Sequence, residues 1–415
     1  MHVVVLGAGI LGVSSAWYLR QAGHQVTVIE RQAEAALETS FANGGQLSVG
    51  HVEPWASPET FPQLLKWGFR EDAPLLFRLR ADPQQWLWAL GFLRECWPQR
   101  SRRNLLQLLN LGLYSRAAQQ ALREQTGIAY QAQDRGILNL YPTLADWERG
   151  CRAAAIITRH GYARARVTQA EALALEPALG ASRSLWVGAT HTPGDGSGDA
   201  KLWTQALAGL CEAQGVTFRF NQTVQRLATD GKRVTGIALA GQSALQEADA
   251  VVVALGSYSA PLLRPLGLKI PVYPVKGYSA TVPILDSAAT PMVSITDDAH
   301  KMVFTRLGDV FRIAGTAEFN GYDTTLSAER CDALIARARS LFPEAADYTN
   351  PTLWTGLRPA TPSNCPLIGR TRMDNLFLNT GHGTLGWTTG CGSGKALAEI
   401  VSGQRPQVDF SFSGL

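Results

Sequence analysis

The hydrophobic pattern is sharpest at the start of the chain. Val3, Val4, Val5 and Leu6 form an unbroken apolar run, as expected of a strand buried on both faces. Gly7-Ala8-Gly9-Ile10-Leu11-Gly12 follows, then a helical stretch, then a second run, Val26-Thr27-Val28-Ile29, ending in Glu30. The buried-strand pattern returns at 250–256 and at 376–378. Apolar spacings of three and four predict helix over 104–124. Further helices are expected over 143–160, from about 201 to 214, and from the run at 381–387 to about 401. Strands are expected at 136–140, 216–220 and 234–239. The segments 273–282 and 310–315 alternate apolar with polar positions among turns, which predicts antiparallel sheet.

Nucleotide-type elements thus occur at the start, in the middle and at the end of the chain. The pattern predicts two interleaved domains: 1–55, 196–268 and 351–415 form one, and 56–195 and 269–350 the other. The fold class expected is α/β, α+β overall.

The first unit, strand–glycine turn–helix–strand, carries specific chemistry. Gly7 allows the tight turn, Gly9 lets the backbone approach a pyrophosphate, and Gly12 lets helix and strand pack closely. The helix N-terminus offers unpaired N–H groups and partial positive charge to phosphates. Glu30 can accept hydrogen bonds from both ribose hydroxyls and repels a 2′-phosphate, which points to FAD or NAD and away from NADP. Further on, the small-residue loop 39–46, with Ser40, Asn43, Gly44, Gly45 and Gln46, can lay backbone amides against a ligand. The run Gly381-His382-Gly383-Thr384-Leu385-Gly386-Trp387 before the last helix can do the same, its helix N-terminus stabilising negative charge. Gly392-Ser393-Gly394-Lys395 does not make a phosphate loop: Thr389 stands where the first glycine is needed, and Ala396 replaces the metal-binding hydroxyl.

Composition narrows the class. A chain of 415 residues can bury a large core, and with 17% charged residues and a net charge of +4 from scattered arginines it is no nucleic-acid binder. Six cysteines (Cys96, Cys151, Cys211, Cys331, Cys365, Cys391) form no CxxC and no metal spacing. Free thiols fit a reducing, cytoplasmic compartment. The short N-terminal apolar run leads directly into the glycine turn, so no signal peptide is expected, and no stretch reaches ~20 apolar residues. One segment stands out. Residues 54–98 hold Trp55, Phe61, Trp67, Phe69, Phe77, Trp86, Trp88, Phe92 and Trp97, with Lys66, Arg70, Arg78, Arg80, Arg94 and Arg100 among or beside them. Such a mixture suits a membrane interface, a partner surface, or an aromatic core, and periodicity does not decide between them.

Over nearly its whole length the chain resembles the bacterial D-amino acid dehydrogenases, within the D-amino acid oxidase-like and glycine oxidase-like flavoproteins. The resemblance rests on LGAGILGVSSAWYLRQAGHQVTVIE, ETSFANGGQLSVGHVEPWASP, YPVKGYSATVP, WTGLRPATPSNCPLIGRT and NTGHGTLGWTTGCGSGK. It implies a Rossmann-type FAD-binding domain interleaved with an antiparallel-sheet substrate domain. It also implies non-covalent FAD and oxidation of a D-amino acid to an imino acid that water converts to a 2-oxo acid and ammonia. Electrons would go to a quinone or other respiratory carrier, with peripheral contact at the cytoplasmic face of the inner membrane. The alternatives are an oxidase that releases peroxide and a flavin subunit that only relays electrons. Arg31, Val224, Gly256 and Thr388 join the expected cofactor-binding set. Gly44 departs from the alanine more usual there, and 133–195 matches least, which leaves the preferred amino acid open.

A substrate carboxylate needs a fixed cation, and arginine offers a bidentate fork that lysine does not. Arg358, in Gly356-Leu357-Arg358-Pro359, is the first candidate, since the resembling family places a carboxylate-binding arginine in this motif. Arg312, an arginine in an apolar strand, is the second; a partnered structural role is the alternative for both. Tyr278 is a candidate for a carboxylate hydrogen bond or for closing the pocket, and His51 for touching substrate. Each is equally readable as an ordinary strand or core residue. No metal set is expected.

Overall fold

The computed structural model describes residues 1–60 and 73–414. Phe61, Lys66, Trp67, Phe69 and Arg70 of the aromatic segment lie outside the described residues.

One sheet has six strands, in the order Leu367–Arg370, Leu376–Thr380, Ala250–Val253, His2–Leu6, Gln25–Ile29 and Thr217–Arg219. All neighbours are parallel except the edge strand Leu367–Arg370. Side chains alternate across a strand, and here both faces are buried, which is why the first run is apolar throughout. Val3 and Val5 pack with the helices Ile10–Gln21, Ala200–Ala213 and Gly386–Val401. Val4 and Leu6 pack with Leu227, Val234 and Ile237 of the hairpin Val224–Thr229/Val234–Leu239.

The helix Gly386–Val401 fits because glycines line two of its sides. A Cβ on Gly390 would lie 2.9 Å from Ile10 Cγ1, and one on Gly394 2.6 Å from the Ser14 carbonyl carbon. On the other side a Cβ on Gly392 would lie 2.6 Å from Ser115 Cα in the long helix Pro98–Thr126. The glycines of the Gly392–Lys395 run therefore serve close helix packing.

Among the described residues the second sheet has nine strands and is mostly antiparallel. Its order is Thr352–Ala360, Tyr273–Pro283, Val310–Phe319, Met302–Leu307, Ser294–Asp297, Ile137–Tyr141, Gly188–Thr192 and Ala165–Thr168, with Leu75–Phe77 added to Val310–Phe319. Two of its pairings are parallel, Ser294–Asp297 with Ile137–Leu140 and Ala317–Phe319 with Leu75–Phe77. Two placements differ from the sequence-based division. Thr352–Ala360 pairs along Tyr273–Thr281, so the return to the first sheet falls after Ala360 and not at 351. The helix Pro98–Thr126, expected in the second domain, sends Leu111, Ala118 and Leu122 into the core of the first. Its apolar period is long enough to bridge both bodies, and Leu105, Leu108 and Leu109 pack instead with Val49, Val52 and Tyr162.

The aromatic segment divides. Trp88 and Phe92 are buried with Trp55, Phe77, Tyr273 and Phe319, whereas Trp86 and Trp97 are exposed. All six cysteines are unpaired. Among the described residues no helix is long and apolar enough to cross a membrane, and no group of His, Cys, Asp and Glu is arranged to hold a metal.

Candidate active site

A cavity of about 1170 Å³ runs from the first glycine turn to the second sheet. At the turn, two glycines serve the fold itself. Gly7 has φ +102°, and its Cβ would sit 2.7 Å from the Ala254 carbonyl oxygen; a Cβ on Gly12 would lie 1.8 Å from the Gly7 oxygen. Gly9 is different. Its φ of −73° suits any residue, and a Cβ there would meet nothing nearer than Ser40 Oγ at 3.4 Å. The protein alone gives no reason for glycine at this position. Gly9 lines the cavity, so a side chain there would project into that space.

Around it, Ile10 N–H donates to Ser40 Oγ at 3.1 Å. The buried Glu30 carboxylate accepts from the N–H groups of Ala8 and Gln32, both at 2.8 Å, and keeps lone pairs for ribose hydroxyls. Arg31 lies over the Tyr258 ring, 4.0 Å from its centre, and donates to Glu38. Leu11, Val224 and Gly256 also line the cavity, while Ala8 and Gly12 stand behind its wall.

The loop 43–46 and the run 383–387 form the middle. Asn43 Oδ1 accepts from Gly45 N–H at 2.9 Å, and Thr305 Oγ1 donates to the Gly44 carbonyl at 2.8 Å. Gln46 Nε2 donates to Ser294 and Thr296, and Trp387 Nε1 to the Gly45 carbonyl at 3.3 Å. Gly383, Thr384, Leu385 and Gly386 line the cavity where the last helix begins, so its N-terminal dipole faces the cavity. Gly381 and Thr388 do not reach the cavity. Gly381 packs toward Thr361, and Thr388 Oγ1 accepts from Ser48 N–H at 3.1 Å, tying the two runs together.

At the far end, Arg358 is half-buried in the wall. Its Nη1 donates to the Thr316 carbonyl at 2.8 Å, and it has no ion pair among the described residues. Burial, and then repulsion from Arg330, bring the guanidinium down to about 10, so it stays charged at neutral pH. Two features hold it. Gly277 leaves room, since a Cβ there would lie 2.2 Å from Arg358 Cζ. Thr316 sits in a bulge of its strand at φ +56°, a strained conformation for threonine.

Arg312 is not on the cavity wall. Its Nη1 donates to the Asn43 carbonyl at 3.1 Å and its Nη2 lies 4.0 Å from Asp199, the cap of helix Ala200–Ala213. Burial lowers the guanidinium's pKa and Asp199 opposes this only in part, so the residue reads as a strut behind the loop, away from the cavity and its expected contact with flavin or substrate. Tyr278 lines the cavity, but its hydroxyl donates to Glu318 at 2.5 Å, and Glu318 also pairs with Arg78 and Lys276. That proton is therefore engaged with Glu318.

His51 does line the cavity, with Nδ1 3.1 Å from Glu53 Oε2. Its segment is strapped from two sides. Asp195 accepts from the N–H groups of Val49 and Gly50 and from Tyr162 Oη, while buried Arg164 donates to the Gly50 carbonyl, to Glu53 and to Thr190. Arg164 and His51 hold the Glu53 carboxylate well below its usual range against burial, which acts the other way. Burial pushes Asp195 up to about 6. Sequence reasoning missed Glu53, Arg164, Thr316 and His382. His382 sits within the glycine run on the cavity wall, Nε2 2.9 Å from Ser393 Oγ, and burial brings it down to about 3, so its ring is neutral. The glycine run flagged its neighbourhood; nothing local flagged Arg164.

A cavity that begins at a glycine turn at the carboxyl ends of parallel strands and opens onto a mixed sheet with a cation in its wall fits the oxidoreductase class that binds a dinucleotide. The chain belongs to the FAD dependent oxidoreductase family, whose model matches residues 2–400. It is 54% identical over 415 residues to a D-amino acid dehydrogenase of Dechloromonas aromatica, covering 99% of each chain. It is 51% identical to one of Paramagnetospirillum magneticum, over 100% of this chain and 98% of that one. Among solved structures, glycine oxidase from Geobacillus kaustophilus superposes with a TM-score of 0.77 at 23% identity, covering 98% of this chain and 96% of that one. L-proline dehydrogenase from P. horikoshii gives 0.75 at 18%, covering 98% and 95%. These two share the fold.

Proposed function

We propose that the protein oxidises a D-amino acid to the imino acid, which water converts to a 2-oxo acid and ammonia, and that the electrons pass to a quinone or other respiratory acceptor. The observation that carries this reading is Arg358, a charged guanidinium fixed in the wall of a cavity that begins at a glycine turn, with no carboxylate partner among the described residues. The relatives at 54% and 51% identity carry the name D-amino acid dehydrogenase, which supports the substrate class.

FAD, held by the Gly7–Gly9 turn, Glu30 and the 383–386 run, would supply the two-electron acceptor for oxidation at Cα. The chain supplies the rest. Arg358 grips the substrate carboxylate through its planar fork, and Thr316 and Gly277 keep that fork from rotating. The N-terminus of the last helix stabilises negative charge developing beside Gly383–Gly386. With a substrate seated over it, the half-buried Arg358 would be shielded from water, which strengthens its hold. A quinone acceptor dissolved in lipid would bring the protein to the cytoplasmic face of the inner membrane.

The test is an anaerobic screen of D- and L-amino acids, cyclic imino acids included, following loss of oxidised-flavin absorbance. D-amino acids should bleach the flavin and L-isomers should not. Protein that stays yellow with every amino acid rejects the reading in favour of an electron relay. Stopped-flow reoxidation then separates acceptors: fast reoxidation by air and slow by a quinone would make the protein an oxidase.

A further inference from the structure

The helix Pro83–Glu95 is apolar on two faces and covered on one. Trp88, Phe92 and Cys96 turn inward onto Tyr273, Val275 and Phe319. On the other side Trp86, Leu87, Leu90 and Leu93, with Trp97 just past the helix end, are 47%, 61%, 64%, 41% and 69% exposed. Steps of four, three and four from Trp86 through Leu90 and Leu93 to Trp97 place them on one stripe. A helix apolar all round belongs in a core or against another apolar phase, and a contiguous stripe marks a binding face where single exposed leucines do not.

Charge and position say what binds. Between 79 and 103, Arg80, Arg94, Arg100, Arg102 and Arg103 outnumber Asp82 and Glu95. Glu95 is engaged with Arg100 and Asn104, and Asp82 with Gln84 N–H and the Tyr273 hydroxyl. Arg94 and Arg102 are exposed and have no acidic partner among the described residues. The inner side of this region borders the cavity at Trp88, Ala89, Phe92, Leu93, Ser101 and Arg102. Leu93 and Arg102 are at once exposed and cavity-lining, so the cavity opens at the edge of the stripe.

We infer that this face docks on an anionic phospholipid surface, setting the cavity mouth against the apolar layer so that a lipid-soluble acceptor enters from the bilayer without crossing water. Tryptophans and leucines flanked by arginine match the layered polarity of such a surface. A second copy of the chain would instead bring arginine against arginine. The inference rests on the proposal that the acceptor is a quinone.

The test uses the flavin-loaded protein and the double variant Leu87→Glu/Leu90→Glu, which leaves the inner face untouched. Both are sedimented with vesicles of phosphatidylglycerol and phosphatidylcholine, and with phosphatidylcholine alone, at low and high salt. The wild type should bind the anionic vesicles at low salt and release with salt. The variant should bind roughly tenfold or more weakly. Reduction of a long-chain quinone embedded in the vesicles should fall in parallel, while reduction of a water-soluble dye stays unchanged. Wild-type protein that remains in the supernatant, or a variant that binds as well, overturns the docking face. So does a wild-type dimer that the variant dissolves, since the occupant would then be a second copy. Failure of D-amino acids to bleach the flavin overturns the catalytic reading instead, and sedimentation still judges the docking face.

Discussion

The two ends of the cavity are walled differently. At the nucleotide end the wall is mostly backbone, set by residues within one short stretch: Gly7, Gly9 and the helix N-terminus beside Glu30. At the far end it is side chains held by distant partners. Arg164 reaches back more than a hundred residues to Gly50 and Glu53, Asp195 further still to Val49, and Arg358 takes its orientation from Thr316 on another strand. A backbone wall tolerates change everywhere except where atoms would enter it. A side-chain wall depends on each partner keeping its place.

The sharpest break between the two is expected from Gly9→Val. The protein itself has room for a Cβ there, so the variant should fold but purify without flavin absorbance. A yellow, active variant would remove the pyrophosphate from this turn.

Arg358→Ala should do the reverse, keeping flavin and losing catalysis. Losing one charge-assisted fork costs roughly 3–5 kcal/mol, or about two to four decades in kcat/KM. Arg358→Lys should recover little, since an ammonium lacks the planar fork. Steady-state kinetics with a dye acceptor, beside flavin absorbance, checks both. Near-normal kcat/KM in Arg358→Ala would leave the carboxylate without its assigned partner.

Asp195 tests the straps. Burial raises its folded-state value to about 6, above the usual 3.8, so the native state holds this proton more tightly than the unfolded chain. Its contribution to stability is therefore present at about pH 4 and lost as pH rises through about 6. Asp195→Asn has no such dependence. Urea unfolding should show the wild type losing about 2–3 kcal/mol relative to the variant between about pH 4 and pH 6.5. A pH-independent difference would mean that Asp195 stays ionised throughout.

The smallest effect is expected at Gly44. A Cβ there would meet Val303 Cγ2 at 2.4 Å, a movable side chain. Gly44→Ala should cost about 1 kcal/mol, and Val303→Ala in the same chain should restore most of it. Thermal unfolding of the four combinations measures the coupling.

The same contrast explains what was legible in the sequence. The first two strands of the first sheet and the glycine turn were readable because apolar runs, turn and acidic strand end lie together, and the apolar runs at 250–253 and 376–378 repeated the signal, whereas the short antiparallel edge strand Leu367–Arg370 carries no such run. The chemistry at Arg358 needed a resemblance to be singled out, and its backbone partner, on a bulged strand, left no local mark. Arg312 misled because an arginine in an apolar strand signals some partner without saying which; the partners are Asn43 and Asp199. The aromatic segment was ambiguous for a physical reason: its helix is apolar on both faces, so periodicity alone has no single face to report.

The discontinuous origin of the first sheet bears on how the protein is made. Its strands come from residues 2–29, 217–253 and 367–380, and the helix that locks onto Ile10 and Ser14 ends only at Val401. At roughly 5–20 residues per second of synthesis, the apolar N-terminal strand waits on the order of half a minute for the neighbours that cover it. During that interval its apolar faces lack the partners that bury them in the folded chain. The first sheet, and with it the cavity at its carboxyl ends, is complete only once residues 367–401 have joined it.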